Sequence, residues 1–115
     1  MWIVMNDSYV SIVQDRTNDS GVVVRARVRE DLGNLFPEHV NDVIETDNSD
    51  YRFRLFLDKE FVAQVVRYRV LDIDYPNFKD SVKESWRKSA YTRIWQVMYE
   101  VQDRFTPSNW FKSYR

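Results

Sequence analysis

Two stretches of the chain alternate between apolar side chains and arginines, and this alternation is the feature that most constrains the fold. In residues 22–28 the arginines stand among valine and alanine, and in residues 51–57 they stand among aromatic and leucine side chains. Because successive side chains of a β-strand point to opposite faces, each stretch is predicted to be a strand with one apolar and one arginine-bearing face. The arginines concerned are Arg25, Arg27, Arg52 and Arg54.

Weaker patterns complete a predicted element order of β-β-β-α-β-β-α-α. Residues 2–5 and 9–13 are apolar runs separated by turn-favouring residues, which predicts a hairpin. Asp58 is predicted to be a helix N-cap, because its carboxylate accepts the free amides of a first turn. The remaining predictions are a helix at 30–36, a strand at 40–46, a helix from 59 to about 69, and a long helix at 82–105 with or without a break at 88–89.

This order predicts an α+β domain. Its middle part, residues 22–71, suits an antiparallel sheet of ferredoxin-like character with helices on one face, to which an N-terminal hairpin and a long C-terminal helix are added. The 115 residues, 43% of them hydrophobic and 16% aromatic, are enough for one folded domain. We assign the domain to residues 1–105 and an aromatic tail to residues 106–115.

The composition argues against several functional classes. The 17 basic and 18 acidic residues nearly cancel, so a strong attraction of the whole molecule to nucleic acid or membrane is not expected. The lack of cysteine removes thiolate chemistry, the two glycines leave no phosphate-binding loop, and His39 has no triad pattern around it. No cofactor, secretion signal or membrane-spanning run is predicted, and the expected compartment is the cytoplasm.

The arginine-bearing faces have two interpretations. Guanidinium groups bind carboxylates and phosphates through paired hydrogen bonds, so Arg25, Arg27, Arg52 and Arg54 together predict an anion-binding or acidic-partner surface. Alternatively, the face is an ordinary solvated one that acidic side chains of nearby strands neutralise. The choice depends on whether the two strands are neighbours, which the sequence leaves open.

A second candidate site is the stretch 71–79, which combines acidic, aromatic, amide and basic side chains between two predicted helices. Pro76 suits the first turn of a helix, so Asp74 or Tyr75 is predicted near the N-cap. Asp72 and Asp74 are spaced for acid–base chemistry or a divalent cation, but no third ligand follows at a recognisable spacing, and capping is the favoured role.

The same stretch is predicted to lie near Arg52, because a helix that covers the sheet returns the chain to the end where the 51–57 strand begins. One of the aspartates is then expected to pair with Arg52, and the resulting mixed patch is our predicted recognition surface. Its other residues are Asp74, Tyr75, Asn77 and Lys79.

The aromatic residues are assigned to two roles. Trp95, Trp86 and Tyr91 recur at helical spacing, and with Phe53 they are predicted to pack in a core. Tyr75 and Phe78 are predicted to close the edge of that core. The aromatic residues of the tail either fold back on the body or dock on a partner. They are Trp110, Phe111 and Tyr114.

Seven segments carry a resemblance to a known family. They are MWIV at 1–4, SIV at 11–13, VRARVR at 24–29, DL at 31–32, DYRFR at 50–54, IDYPNFK at 73–79 and YTRIWQVMYEVQ at 91–102. In this combination the chain resembles a family of small proteins of bacteria and their phages that has no established activity. The resemblance covers nearly everything except the tail, implies a bacterial or phage cytoplasmic setting, and assigns no catalytic residue.

Three functions from different classes are compatible with these features. The first, which we favour, is a non-enzymatic interaction protein, such as a phage accessory or anti-defence protein that binds a host factor. The second is a nucleic-acid or nucleotide-binding module that uses the arginine face. The third is a metal-dependent enzyme with Asp72 and Asp74 in its site. The sequence names no partner and leaves the oligomeric state open.

Overall fold

The computed structural model describes residues 1–47 and 49–106, and it confirms the predicted α+β class. The elements follow the predicted order, with an additional 3-10 turn before the fourth strand and an additional short helix before the long C-terminal one. Their bounds are β1 Trp2–Met5, β2 Ser8–Gln14, β3 Gly21–Ala26, α1 Arg29–Leu35, a 3-10 turn Pro37–Asp42, β4 Ile44–Glu45, β5 Phe53–Asp58, α2 Lys59–Leu71, α3 Phe78–Ser81 and α4 Ser85–Arg104.

The chain divides into two compact units, Met1–Pro76 and Asn77–Arg115. The first unit contains the strands, α1 and α2, and the second contains α3 and α4. The boundary that the sequence predicts after residue 105 falls within the second unit.

The strands form an antiparallel sheet in the order β1-β2-β3-β5-β4. β1 and β2 make the predicted hairpin, and β3 pairs with β2 on one side and β5 on the other. β1 and β4 are therefore the edge strands. Because β3 and β5 pair directly, the two arginine-bearing stretches meet in the middle of the sheet.

The core of the first unit lies between one face of this sheet and the helices α1 and α2. Val24 and Leu55 are directly opposite each other on β3 and β5 and are almost completely buried. Leu32 of α1 and Val62 of α2 pack against them. Burial of each such side chain stabilises the fold by roughly 1.5–3 kcal/mol. The other buried members are Val10, Val22, Ala26, Leu35 and Phe36.

Residues 40–46, predicted to be a strand, are mostly not extended. Pro37–Asp42 form a 3-10 turn, and only the two residues Ile44–Glu45 pair with β5. The fixed φ angle of Pro37 suits the first position of the turn, and the Asn41-Asp42 pair is disfavoured in strands. The edge of the sheet beside β5 is therefore formed by a very short strand.

The prediction that Trp95 lies in a core is wrong, since its side chain is 51% exposed and stacks on Tyr99 with 5.4 Å between ring centroids. Trp86 is exposed as well, whereas Tyr91 is buried. Phe53 is half-buried against the core of the first unit. Apolar residues are present on more than one side of α4, so helical spacing alone does not identify the covered side.

Candidate arginine face of the sheet

The register of the strands aligns one residue from each strand into a row on the face opposite the core. Directly paired residues point to the same side of a sheet, so this row forms a continuous line across it. Arg25 and Arg54 are at its centre, directly opposite each other on β3 and β5. From one edge to the other the row consists of Trp2, Ser11, Arg25, Arg54 and Ile44.

Arg25 and Arg54 form a pair of like charges. Directly opposite residues have Cα atoms about 4.5–5.5 Å apart, and like charges in this position repel. Both side chains are half-buried. Arg25 Nη2 donates a hydrogen bond of 2.7 Å to Ser11 Oγ, and Arg54 Nη2 donates to Ser49 Oγ.

No carboxylate among residues 1–47 and 49–106 pairs with either guanidinium of the Arg25–Arg54 pair. The Nε atoms of both arginines are also buried without a hydrogen-bond acceptor. Buried polar groups are normally satisfied, and unpaired charges are costly when they leave water. The pair is therefore an uncompensated site of positive charge.

Tyr51 packs against the arginines and is itself only 3% exposed. The guanidinium carbons of Arg25 and Arg27 lie 4.6 and 4.4 Å from the centre of its ring, a cation–π arrangement. Burial raises the pKa of the Tyr51 hydroxyl, but hydrogen bonds with Tyr9 and Ser11 and the positive charges of Arg27 and Arg25 outweigh it. The pKa therefore lies below its ordinary value of about 10.

The outer arginines are neutralised locally. Arg27 Nη1 donates a 2.7 Å hydrogen bond to Asp50 O and lies 3.8 Å from its carboxylate. Arg52 Nη2 lies 2.8 Å from Glu45 Oε1 and 3.9 Å from Asp47 Oδ1. These two arginines therefore have acidic neighbours, whereas the central pair has none within the described ranges, and anion binding by that pair stays a prediction.

Exposed apolar side chains lie on the same face of the sheet as the Arg25–Arg54 pair. Trp2 is 73% exposed and meets Tyr9 edge to face at 6.3 Å, and Phe56 is 51% exposed. Phe56 is opposite Val23, and Val4 is opposite Tyr9, which places both on this face. Arginine together with large aromatic residues is the composition typical of protein interface centres.

The predicted mixed patch around Arg52 does not form. Asp74 and Tyr75 line a cavity of about 230 Å³ together with β1 and the end of α2. β1 is at one edge of the sheet, whereas Arg52 pairs with Glu45 of β4 at the other edge. Helix α2 crosses the sheet toward β1, so the acidic stretch is carried away from Arg52.

Asn77 and Lys79 belong to the second unit. Asn77 is the N-cap of α3, and its side chain accepts a 3.1 Å hydrogen bond from Asp80 N, so the predicted cap at Asp74 or Tyr75 is wrong by two to three residues. Lys79 Nζ lies 4.2 Å above the ring of Trp95. Phe78 stacks on Tyr91 at 5.9 Å, whereas Tyr75 lines the cavity beside β1.

Arg87 of the second unit is a charged residue that sequence reasoning missed. It is 1% exposed, its Nε lies 3.0 Å from Glu84 Oε2, and its Nη1 lies 3.1 Å from the Tyr91 hydroxyl. The pKa of Glu84 is lowered by a hydrogen bond from its own backbone N–H, against which burial acts, and by Arg87. The spacing of three and four residues was the available signal, since it places these groups on one helix side.

A larger cavity of about 440 Å³ lies between β2 and α2. Its lining is mainly apolar, with Ile12, Val22 and Val66 among its residues. Lys59 is at its rim, and its ammonium group donates a 2.8 Å hydrogen bond to Gln14 Oε1. The cavity therefore offers few polar groups that would orient a ligand.

Three further predictions concern the aromatic tail, a metal site and membrane-spanning segments. Trp110, Phe111 and Tyr114, the predicted docking residues of the tail, lie outside the described residues. Within the described ranges no three His, Asp or Glu side chains are grouped to hold a metal ion, and this includes Asp72 and Asp74. No helix in the part of the chain that the structure describes is long and apolar enough to cross a bilayer.

The sequence identified the four arginines as candidate site residues, but it did not identify Tyr51 and Ser11, which contact Arg25. Alternation along residues 51–57 places Tyr51 on the core side, yet β5 begins only at Phe53 and Tyr51 turns toward Arg25. Ser11 carries no sequence signal beyond its place in a strand.

No protein-family model, curated protein or solved structure matches the chain.

Proposed function

We propose that the protein is a non-enzymatic interaction protein that binds an acidic segment of a partner protein on the arginine face. The observation that carries this proposal is the Arg25–Arg54 pair, two half-buried guanidinium groups on neighbouring strands without a carboxylate partner in the described chain. Holding the two charges together costs repulsion energy in the free protein. A carboxylate of the partner that binds between them would remove that cost.

The surroundings of the pair favour a protein partner. Trp2 and Phe56 supply exposed aromatic surface on the same face as the guanidinium groups, and aromatic residues and arginine dominate the energetics of protein interfaces. A phosphate backbone is bound through several cations at once, whereas Arg27 and Arg52 are already neutralised. The net charge of −1 also gives no long-range attraction to nucleic acid.

The resemblance to proteins of bacteria and their phages suggests the setting. In that setting the partner is a host factor, including a component of host defence, and the compartment is the cytoplasm. The aromatic tail, with Trp110, Phe111 and Tyr114, is a second docking element in this proposal. A ferredoxin-like arrangement of the sheet, the finer expectation about the fold, stays a prediction.

A nucleic-acid or nucleotide-binding module is the second candidate. The observation in its favour is that Trp2 and Phe56 are exposed on the same face as the arginine pair. Bases stack on exposed aromatic rings while guanidinium groups contact phosphates. Binding of this kind depends strongly on salt, which separates it from the first candidate.

The proposal is tested by capture of partners from a bacterial lysate with tagged protein. The test variant is the double charge reversal Arg25→Glu/Arg54→Glu. The matched control is Arg16→Glu/Arg67→Glu, which makes the same change in net charge at two exposed arginines elsewhere on the first unit. Wild type and control are expected to retain the same partner. The test variant is expected to bind it on the order of 30-fold or more weakly, as for arginine hot spots.

Competition with soluble polyglutamate should release the partner from wild type if its binding segment is acidic. Retention of the partner by a folded Arg25→Glu/Arg54→Glu variant would refute the proposal. A captured species that is destroyed by nuclease and shifts in a salt-sensitive gel assay would support the second candidate instead.

A further inference from the structure

The edge strand β1 has backbone groups that point away from the sheet. Met1 N donates to Ile12 O at 2.9 Å and Ile12 N donates to Met1 O at 2.8 Å, so these two residues exchange both hydrogen bonds. Antiparallel strands alternate between such pairs and pairs without hydrogen bonds. The N–H and C=O groups of Trp2 and Val4 therefore point outward, and they have no partner among the described residues.

A groove runs along this edge. It is the cavity of about 230 Å³ between β1 and the end of α2, and Ile3, Met5, Val66 and Val70 give it an apolar lining. Val70 is 60% exposed, and Ile73 at the same rim is 51% exposed. The edge of the sheet thus has apolar surface beside its outward backbone groups.

The rim of the groove is negatively charged. Arg69 lines the groove, but its guanidinium forms an ion pair with Asp7. Asp72 and Asp74 are exposed at the same rim and make no ion pair within the described residues. Two carboxylate charges therefore remain to attract a cationic group.

We propose that β1 is a docking site for an extended peptide segment of a partner protein that carries both apolar and basic residues on the face toward the groove. The segment adds to β1 as a further strand and bonds to the outward groups of Trp2 and Val4. Every second side chain of the added strand points to the side of the groove, where apolar residues enter it and basic residues approach Asp72 and Asp74 at its rim. A second copy of the chain fits less well, since it would bring an identical acidic rim.

This site is distinct from the Arg25–Arg54 pair in position and in the charge that it prefers, and it does not depend on the proposed function. The probe, the valine–lysine peptide, is a labelled ten-residue peptide in which every second residue is serine and the positions between are valine and lysine in turn, and fluorescence anisotropy measures its affinity. A valine–glutamate peptide is the comparison. The valine–lysine peptide is expected to bind, and equal binding of the valine–glutamate peptide would overturn the proposal.

The contribution of charge is tested with Asp72→Asn/Asp74→Asn. Two exposed charge pairs correspond to a loss of affinity of roughly 2- to 30-fold for the valine–lysine peptide. The matched control is Asp19→Asn/Glu38→Gln, which removes two exposed carboxylates elsewhere in the first unit. An equal loss in the control would show attraction to the whole molecule and overturn the site.

The contribution of the backbone is tested with Val4→Pro, which removes an outward N–H and leaves the bonds between β1 and β2 in place. The expected loss of affinity is at least about tenfold. Because proline also restricts the shape of β1, wild-type protein is measured with two further peptides, N-methylated at odd or at even positions. Strand addition requires that one pattern abolishes binding and the other does not.

Loss of binding with both N-methylation patterns, or with neither, would overturn strand addition. Sedimentation of the wild type over a range of concentrations tests whether a second copy of the chain binds at β1. A dimer that Val4→Pro dissociates would show that a second copy of the chain occupies the edge, contrary to the proposal.

Discussion

Replacing Arg54 with glutamate is expected to make the free protein more stable. In the wild type Arg54 is opposite Arg25, and each guanidinium has no carboxylate partner in the described chain. At a separation of about 6 Å two unit charges interact with roughly 0.7 kcal/mol at a dielectric constant of about 80 and roughly 3 kcal/mol at about 20. Both side chains are half-buried, so the repulsion lies between these limits, at about 1–2 kcal/mol.

The comparison with Arg54→Gln isolates the charge. Both substitutions remove the hydrogen bond to Ser49, which costs about 0.5–1.5 kcal/mol in each case. Glutamine only removes the repulsion, whereas glutamate replaces it with an attraction to Arg25 of similar size. Arg54→Glu should therefore exceed Arg54→Gln in free energy of unfolding by about 1–2 kcal/mol.

Urea unfolding followed by tryptophan fluorescence measures this difference, provided that the m-value is unchanged between variants. The difference should shrink at about 1 M salt, where the Debye length is about 3 Å. Arg52 provides the control with the opposite sign, because it pairs with Glu45 and Asp47. Arg52→Glu should be less stable than Arg52→Gln. The reasoning is refuted if Arg54→Glu is no more stable than Arg54→Gln at low salt.

Three further outcomes are expected. Tyr51 should ionise below the ordinary pKa of a tyrosine in an alkaline titration followed by tyrosinate absorbance, and Tyr51→Phe should remove that step. Since the pKa of Tyr51 is lower in the folded than in the unfolded state, the free energy of unfolding should rise with pH between that pKa and about 10, and less so in Tyr51→Phe. Leu55→Ala should lower the free energy of unfolding, measured by thermal unfolding, by about 2–5 kcal/mol, whereas Trp95→Ala should lower it by less than about 1 kcal/mol. The reverse order would contradict the burial of these residues. If the tail docks on a partner, truncation after residue 105 should weaken association in a pulldown and leave the melting temperature almost unchanged, whereas a large loss of stability would place Trp110 and Phe111 in the protein's own core.

Local alternation was sufficient to identify β3 and β5 and the two faces of their paired residues. The period of two places Val24 and Leu55 on one side and Arg25 and Arg54 on the other, and this follows from the geometry of an extended chain at adjacent residues. The helix at the C-terminus was also predicted from spacing, although Trp95 was assigned to the wrong environment. Spacing reports the shape of a helix, but which side is covered depends on what else packs there.

Predicting the Arg25–Arg54 pair requires knowing which strands are neighbours, and this is not encoded in the residues near either arginine. β3 and β5 are separated in the chain by α1, the 3-10 turn and β4, so nothing near Arg25 specifies that Arg54 is opposite to it. The neutralisation of Arg52 by Glu45 likewise depends on β4 pairing with β5. Because the hydrophobic effect is non-directional, many pairings of these strands would bury the same apolar faces.

For α2, the sequence predicts where the helix begins and how long it is, but not its direction across the sheet. Its N-cap position at Asp58 and its length were predicted from residue types and spacing, which act within one or two turns, but the predicted capping hydrogen bond of the Asp58 carboxylate is not formed. Its direction across the sheet was not predictable in this way, because it depends on how the side chains of α2 pack against β3 and β5. That direction places Asp72 and Asp74 beside β1 and away from Arg52, so the tertiary structure alone decided that the acidic stretch and the arginine pair form two separate surfaces.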